Sequence, residues 1–209
     1  MMPHKKVSNI MLVGGGVGNA VLLSIGKEFL KHGKKVLYFA GYKKLKDLFK
    51  RDLIEKAAST VVWTCDEGLI EIKRKKDRTY CGNVIDAIIA YQSGRLGNVT
   101  IDLGSIKKII TIGSSGMMKA LNNARITVLK SYLQYGCEAI ASVNSPMQCM
   151  MKGVCAQCLQ LHTDGNFLYS CINQDQSINS IDFDFLDDRL KQNSLQEKLT
   201  VKWLSYVKR

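Results

Sequence analysis

The sequence predicts an α/β fold: a five-stranded, doubly wound parallel sheet followed by a small cysteine-rich C-terminal segment. Three observations carry this. Short β-branched apolar runs alternate with stretches of helical spacing through the first part of the chain. Three strand ends carry glycine or small polar residues (GGGVGN, AGY, GSSGM). After Asn144 the alternation stops, and four of the seven cysteines fall between Cys149 and Cys171.

The elements follow in order. Val7 to Val13 is a short apolar strand that ends in glycines. From Val17 to His32, residues Val21, Leu22, Ile25, Phe29 and Leu30 share one helical face. Lys34 to Ala40 is a second buried-type strand, closed by Gly41. Leu45 to Ala57 reads as a helix with a basic outer side, and Thr60 to Cys65 as a third strand. Gly68 to Cys81 reads as a hairpin turning at a Lys-Asp pair. Asn83 to Gln92 is helical, with Asn83 as N-cap. Ile106 to Ile112 is the fourth strand, Met117 to Tyr135 holds one or two helices, and Cys137 to Val143 is the fifth strand. Ile181 to Leu199 reads as one or two short helices. This places a dinucleotide-type domain over residues 1–144 and the cysteine-rich segment over 145–209.

Composition narrows the function. The chain has 209 residues, 46% apolar and 23% charged, with two prolines, which is globular composition. No apolar run approaches the roughly 18 residues a membrane span needs. The N-terminal MMPHKK lacks the apolar region of a secretory signal, so a reducing cytoplasm is expected. An odd number of cysteines there argues against a disulfide framework. The net charge is +12. The lysines are spread along the chain without interleaved aromatics, so nucleic acid is not the expected partner. An acidic partner or an anionic cofactor fits the charge better.

The stretch VGGGVGN, Val13 to Asn19, holds four glycines in five residues. Glycines let the backbone approach a pyrophosphate at the start of a helix, whose N–H groups and dipole favour an anion. A tight strand-to-helix turn is the bland alternative. Asn19 stands where a strict G-x-G-x-x-G would place its third glycine. No acid follows the second strand to hold a ribose 2′-hydroxyl. Tyr42, Lys43 and Lys44 stand there instead, and the lysines lean toward a 2′-phosphate. Tyr42 could stack on an adenine or cover the sheet. Ser114, Ser115 and Gly116 repeat the strand-to-helix design, and either line the nicotinamide side or cap a helix.

The cysteine spacing is Cys149-x5-Cys155-x2-Cys158-x12-Cys171. Four thiolates hold tetrahedral zinc or an iron–sulfur cluster. A zinc ribbon prefers two C-x2-C knuckles, whereas this asymmetric spacing is similar to plant-type 2Fe–2S ferredoxins. A redox disulfide between Cys155 and Cys158 is the third reading. Cys65, Cys81 and Cys137 read as buried structural thiols, and His162 as a surface histidine.

VGGGVGNA, GSSGMMKAL, ASVNSPM, the C-x2-C at Cys155–Cys158 and IDFDFLDDRL, in that order, span nearly the whole chain. Together they resemble the flavin-containing electron-transfer subunits of the ferredoxin–NADP reductase superfamily. Examples are the electron-transfer subunit of dihydroorotate dehydrogenase and the small subunit of NADH-dependent ferredoxin:NADP oxidoreductase. The resemblance implies a ferredoxin reductase type of NAD(P)-binding domain, with Gly14, Gly15, Gly16 and Gly18 near the dinucleotide. It implies a 2Fe–2S cluster on Cys149, Cys155, Cys158 and Cys171. It also implies electron relay through a flavin. The glycine loop begins at residue 14, so the flavin barrel that precedes it in such proteins is expected to be absent. FAD is expected only from a partner chain or a further domain. The loop after Cys149 is one residue longer than usual and carries Met150, Met151 and Lys152. The expected function is an electron-transfer module of a multi-part oxidoreductase. Its expected partners are a flavoprotein or glutamate-synthase-like subunit, or ferredoxin. The alternative is a non-catalytic subunit-contact module, zinc-bound or metal-free.

Overall fold

The computed structural model describes residues 9–143 and 149–207. The chain divides into two compact units, Met1–Ser142 and Val143–Arg209. The expected boundary between residues 144 and 145 lies outside the described residues, as do the start of the Val7 strand, His4 and residues 144–147 of ASVNSPM.

The first unit runs β1 (Asn9–Gly15), α1 (Gly18–Lys31), β2 (Val36–Tyr42), a 3-10 turn (Leu45–Asp47), α2 (Arg51–Lys56), β3 (Thr60–Cys65), β4 (Arg78–Cys81), α3 (Val84–Gln92), β5 (Ile106–Ile112), α4 (Ser115–Ile126) and β6 (Glu138–Ser142). Its strands lie in the order β4-β3-β2-β1-β5-β6, and every neighbouring pair is parallel. The chain walks outward from β1 to β4, then returns to β5 on the other side of β1. That reversal puts the carboxyl ends of β1 and β5 beside each other, the place where open α/β sheets bind ligands.

β2 and β3 are buried at every position, as strands covered on both faces must be. Alternate residues of the central strands share a core: Leu12, Val36, Tyr38, Val61 and Trp63 pack together with Leu22 and Ile54 from α1 and α2. Gly26 lets α1 approach closely, since a Cβ there would lie 2.4 Å from the Ala57 carbonyl oxygen.

Six strands, not five, form the sheet of this unit, and the expected hairpin over Gly68 to Cys81 is not one. Only Arg78–Cys81 is a strand, and it adds in parallel to β3. Its anchor is electrostatic rather than apolar. The fully buried Asp77 carboxylate accepts the Val61 N–H at 3.0 Å and both Arg74 nitrogens Nε and Nη2 at 2.7 Å. Arg74 in turn reaches the Glu55 and Ala58 carbonyls. A bidentate ion pair of this kind leaves no hydrophobic periodicity to read. The expected helix over Leu45 to Ala57 is broken at Lys50, whose φ of 47° is left-handed. Cys65 is buried as expected, but Cys81 at the end of edge strand β4 is exposed and Cys137 is partly exposed.

In the second unit β7 (Leu159–Leu161) and β8 (Phe167–Tyr169) form an antiparallel hairpin. β9 (Asp175–Ser177) and a 3-10 turn over Ile178–Ser180 follow. α5 runs from Phe183 to Val207 as one helix of 25 residues, where the sequence reads as shorter pieces. Asp182 accepts the Phe185 N–H at 2.9 Å and so caps it. Ile178, Ile181, Phe183, Leu186 and Cys158 are buried and make a small core. His162 is half-buried and bonded to Gln176 at 2.9 Å.

Candidate functional site

The glycine loop joins β1 to α1, and its four glycines do two different jobs. A Cβ on Gly14 would lie 1.9 Å from Asn19 Oδ1, and one on Gly18 would lie 2.2 Å from the Ile112 carbonyl oxygen. Those two glycines are required by packing inside the fold. A Cβ on Gly15 would lie 2.7 Å from Met117 Sδ, so it is crowded too, whereas Gly16 faces open space. Gly16 is left-handed at φ +52°, and a Cβ there would meet nothing within 4 Å. The expectation of four glycines near a dinucleotide thus divides: Gly15 and Gly16 border a cavity, while Gly14 and Gly18 do not.

Asn19, fully buried, explains why the third glycine position is filled. Its amide donates to the Gly16 carbonyl at 3.0 Å and to the Gly41 carbonyl at 3.2 Å. The Tyr38 hydroxyl donates to the Asn19 carbonyl at 3.1 Å. The Gly16 N–H bonds the Gly41 carbonyl at 2.8 Å. The side chain therefore ties the loop to the end of β2.

The cavity holds about 570 Å³ and opens at the carboxyl ends of β1, β2, β3 and β5. Of the residues expected at such a site, Gly15, Gly16, Tyr42, Lys43 and Ser114 line it; Ser115 and Gly116 do not. The Ser114 hydroxyl also accepts the Met117 N–H at 3.3 Å, so it caps α4 while bordering the cavity. Tyr42 is nearly buried, its ring stacked on Trp63 at 6.5 Å and edge-on to Phe49 at 5.9 Å. Burial pushes its phenol well above the ordinary tyrosine range, and the Asn19 side chain pulls slightly the other way.

Three carboxylates unmarked in the sequence reading also line the cavity: Asp47, Asp66 and Asp86. Asp47 comes from the turn after β2, Asp66 follows β3, and Asp86 lies in the first turn of α3. Asn83 Nδ2 donates to Asp86 Oδ2 at 2.7 Å, while Asn83 Oδ1 caps the helix. The strand-end rule reaches Asp66 once it is applied to β3 as well as β2. No signal near β2 marks Asp86.

The cysteine loop is wound in an unusual backbone. Met150, Met151, Gly153 and Ala156 all have positive φ, between 53° and 67°. Left-handed residues in such number bend the chain sharply and can turn backbone N–H groups to one side. The Cys155 and Val154 N–H groups, helped by the Cys155 thiol and the Lys152 N–H, pull the Cys149 thiol down to about 6. Cys158 Sγ lies 3.0 Å from Cys171 Sγ. That contact, then burial and the charges of Cys158 and Cys149, push the Cys171 thiol up, against the Gly153 N–H. The Cys158 carbonyl is held by the Ser170 N–H and hydroxyl, both at 2.9 Å.

The four expected ligands are thus brought into one loop region as two pairs, Cys149 with Cys155 and Cys158 with Cys171. Among the described residues, no group of three or more His, Cys, Asp or Glu side chains is gathered tightly enough to hold a single metal ion. Four thiols in two pairs, with N–H groups aimed at sulfur, are a donor set that fits a two-iron cluster.

No protein-family model matches the chain. It is 29% identical over 154 residues to the electron transfer subunit of a dihydroorotate dehydrogenase B (NAD(+)) from Fusobacterium nucleatum, a match covering 74% of this chain and 49% of that protein. It is 50% identical over 64 residues to an uncharacterised protein of Rickettsia prowazekii, covering 30% of this chain and 9% of that one. A solved structure of an NADH-dependent reduced ferredoxin–NADP oxidoreductase, described for flavin-based electron bifurcation, has the same fold. It has a TM-score of 0.68 and 21% identity, covering 93% of this chain and 61% of that one. The chain thus spans about half the length of the curated electron-transfer relative.

Proposed function

Because the chain is a sequence relative of ferredoxin reductase-like electron-transfer subunits, we propose that it is an electron-transfer module of a multi-part flavoenzyme. It binds a nicotinamide dinucleotide in the cavity of the first unit and a 2Fe–2S cluster on Cys149, Cys155, Cys158 and Cys171. A flavoprotein or glutamate-synthase-like subunit, or a further domain, supplies FAD, and ferredoxin is a candidate acceptor. The observation that carries this reading is the left-handed loop that turns N–H groups onto Cys149. Each left-handed methionine costs about 1–2 kcal/mol, which a ligand at the loop would offset.

The cluster, when bound, supplies one-electron chemistry. The chain's own residues do the rest. N–H groups of Cys155 and Val154 favour sulfur in its anionic form, the form a metal requires. Gly16 lets the backbone approach a phosphate that a side chain would hold off, and Gly15 borders the same cavity. Lys43 adds positive charge at the cavity rim, and the net charge of +12 favours docking of an acidic partner.

The test is anaerobic purification with iron and sulfide counts, visible absorption and EPR. A coloured protein with two irons per chain, EPR-active on reduction, supports the reading. A colourless protein with zinc or no metal supports the non-catalytic module instead. That second reading draws on the close Cys158–Cys171 pair and the lack of a three-donor cluster among the described residues.

A further inference from the structure

The guanidinium of Arg189 is buried, with 7% of the residue exposed. Nη1 donates to the Gln157 carbonyl at 2.8 Å, and Nη2 to Gln160 Oε1 at 3.2 Å. Nε has no hydrogen-bond partner among the described residues. Both acceptors are neutral, and no carboxylate pairs with this arginine among the described residues; the adjacent Asp188 is bridged to Lys191 at 3.1 Å. Arginine does not shed its proton in proteins. A buried cation held only by neutral acceptors is costly unless an anion stands nearby. The nearest anion-forming group in the chain is the cysteine turn itself, since Nη1 is bonded to the carbonyl of the residue before Cys158.

Gln157 is the residue between Ala156 and Cys158, so the Nη1 bond grips the Cys155–Cys158 turn directly. Gln160 is itself fixed, its amide donating to the Leu161 carbonyl at 2.9 Å and the Asp182 carbonyl at 3.0 Å. α5 therefore delivers one fixed positive charge to the Cys155–Cys158 turn.

We propose that Arg189 is the counter-charge of the cysteine centre, a positioning residue that raises the reduction potential of the cluster bound there. This rests on the four-cysteine reading above. The step is the gain of one electron from a reduced flavin. One ferric ion becomes ferrous, no bond forms or breaks, and the centre becomes one unit more negative. A fixed cation beside Cys158 favours the more negative state, so its removal shifts the equilibrium toward the oxidised form.

The experiment uses the full chain, reconstituted anaerobically with iron and sulfide, as wild type, Arg189→Gln and Arg189→Lys. Iron content and visible spectrum are read first. The midpoint potential is then read by an EPR-monitored dithionite titration. Arg189→Gln is expected to keep the centre and shift the reduction equilibrium about tenfold toward oxidised, or about 59 mV lower for one electron. Arg189→Lys keeps the charge and is expected to stay near the wild-type midpoint. Loss of iron in the glutamine variant alone also supports the counter-charge. An unchanged midpoint in Arg189→Gln, an equal fall in both variants, or equal loss of iron in both would overturn it and leave a mere strut. A wild type that takes up no iron is seen before any potential is measured. That result rejects the cluster itself, and the role of Arg189 with it.

Discussion

The Asn19 side chain occupies the space that a methyl group on Gly14 would need: its Oδ1 atom lies 1.9 Å from where that carbon would stand. The two residues are complementary, one shrunken so that the other can brace the loop. Asn19→Ala removes two donor contacts, to the Gly16 and Gly41 carbonyls, while the Gly41 carbonyl keeps the Gly16 N–H. It is expected to destabilise the protein by about 1–3 kcal/mol, summing two lost bonds near 0.5–1.5 kcal/mol each. Chemical denaturation followed by far-UV circular dichroism measures this. A change under about 0.5 kcal/mol would show that the brace is idle.

Gly16→Ala and Gly18→Ala separate binding from folding. At Gly16 there is open space and only the left-handed backbone to strain, a cost of about 1–2 kcal/mol. At Gly18 the added methyl would drive into the Ile112 carbonyl of β5. The Gly18 variant is therefore expected to lose several kcal/mol of stability. The Gly16 variant is expected to stay folded and lose dinucleotide affinity. Thermal melts paired with fluorescence titration by NADH and NADPH test the pair. The reverse ranking of stabilities would contradict the packing.

Alkaline stability follows from two buried phenols. Burial raises Tyr38, with the nearby Tyr42 adding to it, and burial raises Tyr42. Above about pH 10 the unfolded chain ionises these groups while the folded one keeps them protonated. The unfolded state then binds fewer protons, so stability falls as pH rises past that point. The slope is up to about 1.4 kcal/mol per pH unit from Tyr38, and less from Tyr42, which borders the cavity. Urea midpoints measured between pH 9 and 12 should show it, and Tyr38→Phe should remove most of the slope. A midpoint as steep in that variant as in wild type would remove the assignment to Tyr38.

Cys155→Ser tests the cysteine loop. Its thiol and N–H both act on Cys149, and only the thiol is lost. Colour and iron are expected to fall to background, while far-UV circular dichroism keeps the signature of the parallel sheet. Iron content equal to wild type would show that Cys155 is not a ligand.

Much of the frame was legible because it follows burial. The continuous apolar runs of β2 and β3 and the helical spacing of α1 could be read directly, and the Asn83 cap is seen in its bonds to the Ile85 and Asp86 N–H groups. What escaped was held by polar groups. β4 is pinned by Asp77 and Arg74, whose charges looked like a solvated turn. Asp66 and Asp86 meet Asp47 only through the order of the strands, which no local pattern records. Arg189 lies 18 residues beyond Cys171 in the chain, and only the course of α5 brings it to the Cys158 turn. In the glycine loop, number and position were plain, but the division of labour was not. It depends on Asn19 and on the β5 carbonyl, both distant from what glycine alone announces.

A stretch held left-handed at Met150, Met151, Gly153 and Ala156 is not a shape that a free chain chooses. Its outer surface carries Met150 and Val154, 82% and 77% exposed. Whatever the loop closes around therefore contributes to its folding by mass action. Were the proposed cluster that ligand, a shortage of iron or sulfide would leave this segment open, its apolar side chains outward to proteases, and the cellular amount of the protein would track that supply independently of transcription.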